Sequence, residues 1–187
     1  VYYGDEIGMQ NAENIKKADA KDPISLVFKG VPQFMRNWLP VPVNRDVCRT
    51  PMQWDTTAFA GFTTGDSTWL PISQDLANRN VIVQNAEENS LLNTYQDVLH
   101  LRKEIKALSK GSLSLVEEFK LPKNVLAYTR QYEGEEYLIL LNFSNKIKVL
   151  EWAAIDIYEI MYQLNQKDKF ENNQFSLSSH GGIILKK

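Results

Sequence analysis

Cysteine is nearly absent from this chain. With Cys48 alone among 187 residues, no internal disulfide can form, and the usage leans toward a reducing compartment. Histidine is almost as scarce: His100 and His180 are the only two, which leaves little support for a histidine-based triad or a zinc site. An excess of one charge is missing too. The 21 lysines and arginines are interspersed with 23 aspartates and glutamates, for a net charge of −2, so there is no basic surface for nucleic acid or an anionic membrane, and a neutral partner is expected. The longest apolar run, Tyr137-Leu138-Ile139-Leu140-Leu141, is far shorter than the roughly 20 residues that cross a bilayer. No charged segment followed by an apolar one opens the chain, and an initiator methionine is lacking. Val1-Tyr2-Tyr3 reads as the end of a buried strand running into Gly4, so the chain is expected to begin in mid-element.

What is present is enough apolar material for a core. At 43% hydrophobic and 11% aromatic, the chain can build one domain or two small ones. From Gln10 to Glu88 it is rich in proline and aromatics with little periodicity, and Asp22-Pro23, Leu39-Pro40, Val41-Pro42 and Leu70-Pro71 interrupt any longer element. Long loops carrying short helices are expected there, and a stretch of that kind in a compact domain is usually functional. Ser90 to Leu108 is different. Leu91, Tyr95, Val98, Leu101, Ile105 and Leu108 recur at threes and fours, which predicts one amphipathic helix with Ser90 as N-cap, Lys106 and Lys110 near its negative end, and Gly111 as its stop. His100 falls off the apolar stripe.

After Gly111 the period changes to that of strands. Short runs are expected at 113–119, 125–132, 136–143, 146–150, 157–164, 174–177 and 183–185, with Glu133-Gly134 as a hairpin turn. Close spacing without intervening helices predicts an antiparallel β-sandwich. Asn142-Phe143-Ser144 matches the glycosylation triplet.

Two segments carry the chemical information. In Tyr3-Gly4-Asp5-Glu6-Ile7-Gly8-Met9, two adjacent acids follow the expected strand, suited either to acid–base or metal work or to a turn that accepts backbone N–H bonds, with Gly4 and Gly8 supplying the turn's unusual angles. In Asn44-Arg45-Asp46-Val47-Cys48-Arg49-Thr50-Pro51-Met52-Gln53-Trp54-Asp55, two arginines flank an acid beside an aromatic, which fits a salt-bridged loop as well as a site. Cys48 beside Arg49 has no base in view to activate it.

Both segments resemble the closing motifs of α-glucosidases of the α-amylase superfamily. Ala60-Gly61-Phe62-Thr63-Thr64, Ser67-Thr68-Trp69-Leu70-Pro71 and Leu101-Arg102-Lys103-Glu104 extend the likeness, which covers residues 1 to 110 well and the β-rich tail in architecture only. The resemblance implies that Arg49 binds substrate, forking onto an upstream aspartate and the hydroxyls of the non-reducing glucose. A planar guanidinium suits that task. It also implies that Asp5, Glu6, Arg45, Asp46, Gln53 and Trp54 organise the loops near the site. Trp54, Phe59, Phe62 and Trp69 offer flat apolar faces that either stack on sugar rings or pack the loops.

A retaining glycosidase needs a nucleophilic carboxylate and an acid/base carboxyl about 5 Å apart, and the family draws these, with an Asn-His-Asp aspartate, from barrel strands for which this sequence has no counterpart. A (β/α)8 barrel takes about 250 residues. The expected architecture is therefore an α+β fragment: residues 1–110 as the last βα portion of a TIM barrel, and 111–187 as an antiparallel β-sandwich C-terminal domain. No catalytic residue, metal ligand or cofactor site is assigned. The partner of the whole protein is expected to be an α-glucoside oligosaccharide, with no nucleic acid and no membrane contact in this segment. Trehalose-synthase-type isomerases share the motifs, although the Gln10–Val43 insertion with Asp22-Pro23 fits the glucosidase pattern better. Non-catalytic heavy subunits of amino-acid transporters are a third possibility, usually departing from the arginine motif that is intact here.

Overall fold

A computed structural model describes residues 2–13, 15, 19–27, 30–36, 38, 44–116, 121–151, 157–171 and 174–187. The chain forms two compact units, Val1–Gln96 and Asp97–Lys187.

In the first unit the described residues form no strand. Short helices α1 (Pro23–Val27), α2 (Gln33–Arg36) and α3 (Val81–Ala86) stand among loops and three 3-10 turns, Asp5–Ile7, Asp46–Cys48 and Ala58–Gly61. This is what the prolines dictate, since each removes a backbone donor and restricts the residue before it. The expected strand end at Val1-Tyr2-Tyr3 is corrected at Tyr2 and Tyr3, while Val1 lies outside the described residues. Tyr2 and Tyr3 are 49% and 42% exposed, and the Tyr2 amide donates to the Asp5 carboxylate at 2.8 Å, with no ladder partner. A strand needs a neighbour, and none is available among the described residues of this unit.

Among the described residues of this unit a small apolar cluster forms, Ile7, Met52 and Leu92 with Met9 and Val81 against it. Polar side chains fill much of the rest of the interior: Asp22, Asp46, Thr50, Gln53, Ser73, Asn80 and Ser90 are all buried. Such groups are tolerated only when hydrogen-bonded. Asn80 caps α3, accepting from the Val83 amide at 2.9 Å and donating to the Leu76 carbonyl at 2.8 Å. Ser90 caps α4 (Leu91–Glu104), its hydroxyl accepting from the Asn93 amide at 3.1 Å.

The single helix expected over 90–108 is two. α4 stops at Glu104, Ile105 turns to an extended conformation (φ −84°, ψ 105°), and α5 runs Lys106–Lys110. Lys110 is in the last turn as expected, but Lys106 opens α5. Within the expected stripe Leu91 and Val98 are exposed at 42% and 38%, and Leu92 is buried in place of Leu91. The break has a packing reason. It lays Ala107 and Leu108 onto the large sheet described below, beside Leu101 and Ile105, while Arg102 donates to the Leu108 carbonyl at 2.7 Å. Gly111 does end α5, but in extended geometry (φ −64°, ψ 156°). Its need for glycine is steric, because a Cβ there would sit 2.7 Å from the Gln131 carbonyl oxygen.

The second unit contains β1 (Ser112–Leu115), β2 (Val125–Tyr132), β3 (Glu135–Asn142), β4 (Lys148–Glu151), β5 (Glu159–Gln163), β6 (Lys169–Glu171), β7 (Gln174–Leu177) and β8 (Gly182–Lys186). They pair antiparallel throughout, in a five-stranded sheet ordered β1-β2-β3-β8-β5 and a three-stranded sheet ordered β4-β7-β6. Ala127, Leu138, Leu140, Ile183 and Leu185 of the large sheet pack with Leu150, Phe175 and Leu177 of the small one, as a sandwich requires. The opposite face of the large sheet presents Tyr137, Ile139 and Ile184 to Ala107 and Leu108. β3 is therefore buried on both faces, which explains its unbroken apolar run. The β2–β3 turn has Glu133 at φ 49° and Gly134 at φ 89°, the two left-handed residues of a type I′ hairpin.

Asn142 is not available for glycosylation in this fold. It is 3% exposed, its amide donates to the carbonyls of Lys146 (2.8 Å) and Ser178 (2.7 Å), and its oxygen accepts from the Ser144 hydroxyl at 2.7 Å. Removing it strands buried acceptors, each costing about 1–3 kcal/mol. Asn142→Ala is expected to lower the unfolding free energy of the chain by roughly 3 kcal/mol in urea titration, whereas Phe143→Ser, at an exposed position, stays within about 0.5 kcal/mol. Equal losses for the two variants would contradict this account.

Candidate functional site

The first unit is organised around an exchange of carboxylates between two loops. Asp22, 2% exposed, receives the Arg45 guanidinium as a fork, Nε to Oδ2 at 2.9 Å and Nη2 to Oδ1 at 2.8 Å, and also the Arg45 amide at 3.1 Å. Asp46, 1% exposed, returns the contact: its Oδ2 accepts from the amides of Lys21 at 2.8 Å and Asp22 at 2.9 Å. The fork holds the Asp22 carboxyl well below the usual carboxylate range, against the opposing effect of burial. The sequence marks Arg45 and Asp46 as site residues, but Asp22 only as part of an element-breaking Asp22-Pro23 pair in an insertion that fits the glucosidase pattern. Its one visible signal was an acid fixed before a proline, which no local period links to a residue so far along the chain.

Arg45 and Asp46 lead into the 3-10 turn Asp46–Cys48, and Arg49 follows, its amide donating to the Asp46 carbonyl at 3.0 Å. Arg49 is half-buried. Among the described residues its guanidinium has no hydrogen bond or ion pair, although it lies near enough to Tyr3 for its charge to favour ionisation of that phenol, against the larger effects that suppress it. Burial, with adjacent Tyr2, pushes Tyr3 up to about 12. The Tyr3 hydroxyl therefore keeps its proton at neutral pH, and it donates to the Thr50 carbonyl at 3.0 Å. Cys48 is exposed, its thiol directed to the Arg45 carbonyl at 3.2 Å.

Asp5 and Glu6 share one 3-10 turn but not one role. Gly4 (φ 90°) and Gly8 (φ 64°) bracket the turn in left-handed geometry. Asp5 binds the Tyr2 amide, whereas Glu6 Oε2 is buried without a hydrogen-bond partner among the described residues. Gln53, fully buried, ties this region together: its amide donates to Asp75 Oδ1 at 3.1 Å and to the Arg79 carbonyl at 2.5 Å. Arg79 in turn donates to the Gly8 carbonyl. Asp75 and Arg79 were not singled out in the sequence.

Trp54 leaves its main chain in this scaffold, its amide donating to the Ala60 carbonyl at 2.9 Å and its carbonyl accepting from Ile82 at 3.0 Å, while its ring is 49% exposed. The facing turn runs left-handed at Phe59, Ala60 and Gly61 (φ 54°, 58° and 63°). A Cβ at Gly61 would strike the Asp55 carboxylate, 2.5 Å away. Trp54, Phe62 and Trp69 line a cavity of about 400 Å³ with Tyr3, Glu6, Pro51 and Met52. Aromatic faces beside one carboxylate form the kind of surface that accepts a neutral, hydroxyl-bearing ring. Glu6 lines this cavity; Asp5, Arg45, Asp46, Gln53 and Arg49 do not. Among the described residues, no three side chains of His, Cys, Asp or Glu gather as a metal site, and no helix is long and apolar enough to cross a membrane.

The family model for the alpha amylase catalytic domain matches residues 1–111. An oligo-1,6-glucosidase of Halalkalibacterium halodurans is 32% identical over 183 residues, 94% of this chain and 32% of that protein. The amino acid transporter heavy chain SLC3A1 of Mus musculus is 32% identical over 156 residues, 82% of this chain and 19% of that one. Among solved structures, trehalulose synthase MutB of Pseudomonas mesoacidophila MX-45 aligns with a TM-score of 0.79 at 26% identity, over 100% of this chain and 35% of that one. The chain spans about a third of the length of the first curated relatives it matches, 32% and 29%.

The loop exchange makes a pH prediction. A carboxylate whose folded pKa is depressed contributes stability that is fully present above its unfolded value of about 3.9 and lost as pH falls through the folded value. The Asp22–Arg45 fork is therefore expected to stay closed from pH 7 down through the ordinary aspartate value of about 3.9 and to open only in stronger acid. An NMR titration of the Asp22 carboxyl carbon should be flat over that window. A midpoint in the ordinary carboxylate range would remove the fork from solution.

Proposed function

Because the chain belongs to the α-amylase family, we propose that it is the C-terminal part of a retaining α-glucoside hydrolase acting on small maltose-type oligosaccharides. Residues 1–110 are the closing portion of its (β/α)8 barrel, and residues 111–187 its C-terminal β domain. The end of the family match at residue 111 supports this division. Arg49 binds the non-reducing glucose, and Asp5, Glu6, Arg45, Asp46, Gln53 and Trp54 shape the loops around it. The nucleophile and the acid/base carboxyl lie elsewhere in the enzyme.

The observation that carries this reading is the Arg49 guanidinium, half-buried and without a hydrogen bond or ion pair among the described residues, beside a neighbouring Arg45 that is forked onto Asp22. Partial removal of an arginine from water without an anion to meet it is unfavourable. In the intact enzyme an aspartate takes one edge of the fork and sugar hydroxyls the other. Binding of this kind orients the glucosyl unit while a carboxylate attacks its anomeric carbon and a carboxylic acid protonates the departing oxygen.

The likeness to trehalulose synthase favours a second reading, in which the same arginine serves intramolecular glucosyl transfer and water is kept from the intermediate. Product analysis separates the two, since hydrolysis releases glucose and isomerisation conserves the disaccharide. The intact arginine motif speaks against a non-catalytic transporter subunit, for which a sugar-binding guanidinium has no use.

Two outcomes are expected. The 187-residue chain assayed on aryl α-glucosides and maltose shows no turnover above buffer, because no nucleophile and acid/base pair is present to form and hydrolyse a glucosyl-enzyme intermediate. Activity abolished by replacing Asp5 or Glu6 would overturn the reading. In the intact enzyme, Arg49→Lys loses roughly 2–5 kcal/mol of transition-state stabilisation, read from kcat/KM, because lysine cannot reproduce the fork. Unchanged kinetics would take Arg49 out of the site.

A further inference from the structure

Arg49 carries the proposed function, yet among the described residues nothing holds its side chain. Its placement therefore rests on its backbone, which is pinned before it by the contacts of Arg45 and Asp46 and by the Ala12 amide donating to the Val47 carbonyl at 2.8 Å. The 3-10 turn Asp46–Cys48 closes through the Cys48 amide on the Arg45 carbonyl at 3.3 Å and the Arg49 amide on the Asp46 carbonyl at 3.0 Å. Both residues that open this segment, Arg45 and Asp46, are bound to Lys21 and Asp22 by five hydrogen bonds of 2.8–3.1 Å. On the far side the Thr50 carbonyl accepts from the Tyr3 hydroxyl at 3.0 Å. Arg49 is thus the free side chain of a short span fixed at each end.

We infer that Asp22 is the positioning residue for Arg49: by clasping the side chain and amide of Arg45 and offering its own amide to Asp46, it sets where the sugar-binding guanidinium stands. The inference rests on the reading of Arg49 given above. Asp22 and Asp46 are 2% and 1% exposed, so water has little access to either carboxylate, although it reaches the Arg45 side chain, which is 39% exposed. An asparagine at 22 keeps the size of the side chain but offers one acceptor oxygen where the fork needs two. The turn would then relax, carrying Arg49 off its alignment. A displacement of about 1 Å in a positioning group costs on the order of 100-fold in rate.

The test is a double-mutant cycle in the intact enzyme, with Asp22→Asn, Arg45→Lys and Arg49→Lys alone, and the first two each combined with Arg49→Lys. The readouts are kcat/KM on an aryl α-glucoside and the inhibition constant of glucose. Asp22→Asn and Arg45→Lys are each expected to lower kcat/KM roughly 10- to 100-fold and to weaken glucose inhibition. Neither should cost anything further once Arg49 is lysine, because each acts through Arg49. A purely structural role predicts the opposite, a lower melting temperature with losses that multiply in the Arg49→Lys background, and that result overturns the inference while leaving the reading of Arg49 in place. If Arg49→Lys alone leaves both readouts unchanged, the reading of Arg49 falls and the inference with it. Arg45→Lys, which keeps the charge and loses only the fork, carries the cycle by itself should Asp22→Asn fail to accumulate as folded protein.

Discussion

Two buried aspartates facing each other's backbone hold the first unit in shape. Asp22 and Asp46 sit in loops whose described residues share no strand ladder, and a loop of this length costs only a slowly growing closure entropy to bring together. What it lacks is a reason to stay in one geometry. The guanidinium fork supplies it, because its planar donors meet a carboxylate in essentially one orientation. The reciprocal Asp46 contacts to two amides then fix the register of one loop on the other. Gln53, Asp75, Arg79 and Asn80 extend the same logic, the Gln53 amide donating to Asp75 and to the Arg79 carbonyl and Asn80 bonding both Leu76 and Val83. Such networks specify a single arrangement more strictly than a greasy core of the same size, and they fail more abruptly when one member is lost.

The second unit is built on the other principle. β3 is covered on both faces, by the small sheet on one side and α5 on the other, so its alternation of Tyr137, Leu138, Ile139 and Leu140 disappears from view as a pattern. The small sheet is short and its outward residues are polar or half-exposed, with Val149 opposite Ser176. A one-residue slip in β3 would exchange its two apolar faces with little penalty. The type I′ turn at Glu133-Gly134 and the buried Asn142 at its two ends remove that freedom.

The sequence was most legible where the physics is local. β2 and β7 occupy the residues their alternation predicted, and Ser90 caps the helix it was expected to cap. The family resemblance read from the loop motifs agrees with the match over residues 1–111. Legibility failed where distant contacts decide. The periodicity around Leu91 and Leu108 describes one straight helix, but burying Ala107 and Leu108 on a sheet demanded a break at Ile105. β6, Lys169–Glu171, is too short and too charged to read as a strand, and only its pairing with β7 reveals it. Asp22 was invisible as a partner because the residue it serves lies in another loop.

The buried Asn142 carries a consequence of a different kind. An oligosaccharide transferase recognises an unfolded tripeptide, and here the acceptor nitrogen is withdrawn into a lattice of carbonyls as soon as the strands close. In a compartment that glycosylates nascent chains, this triplet would set a race between sugar transfer and β-sheet closure. A chain that lost the race would carry a bulky polar tree at a position that must be desolvated to fold. The same three letters that look like an invitation to modification would then act as a kinetic trap, and rapid closure of the β3–β8 ladder would be the chain's protection against it.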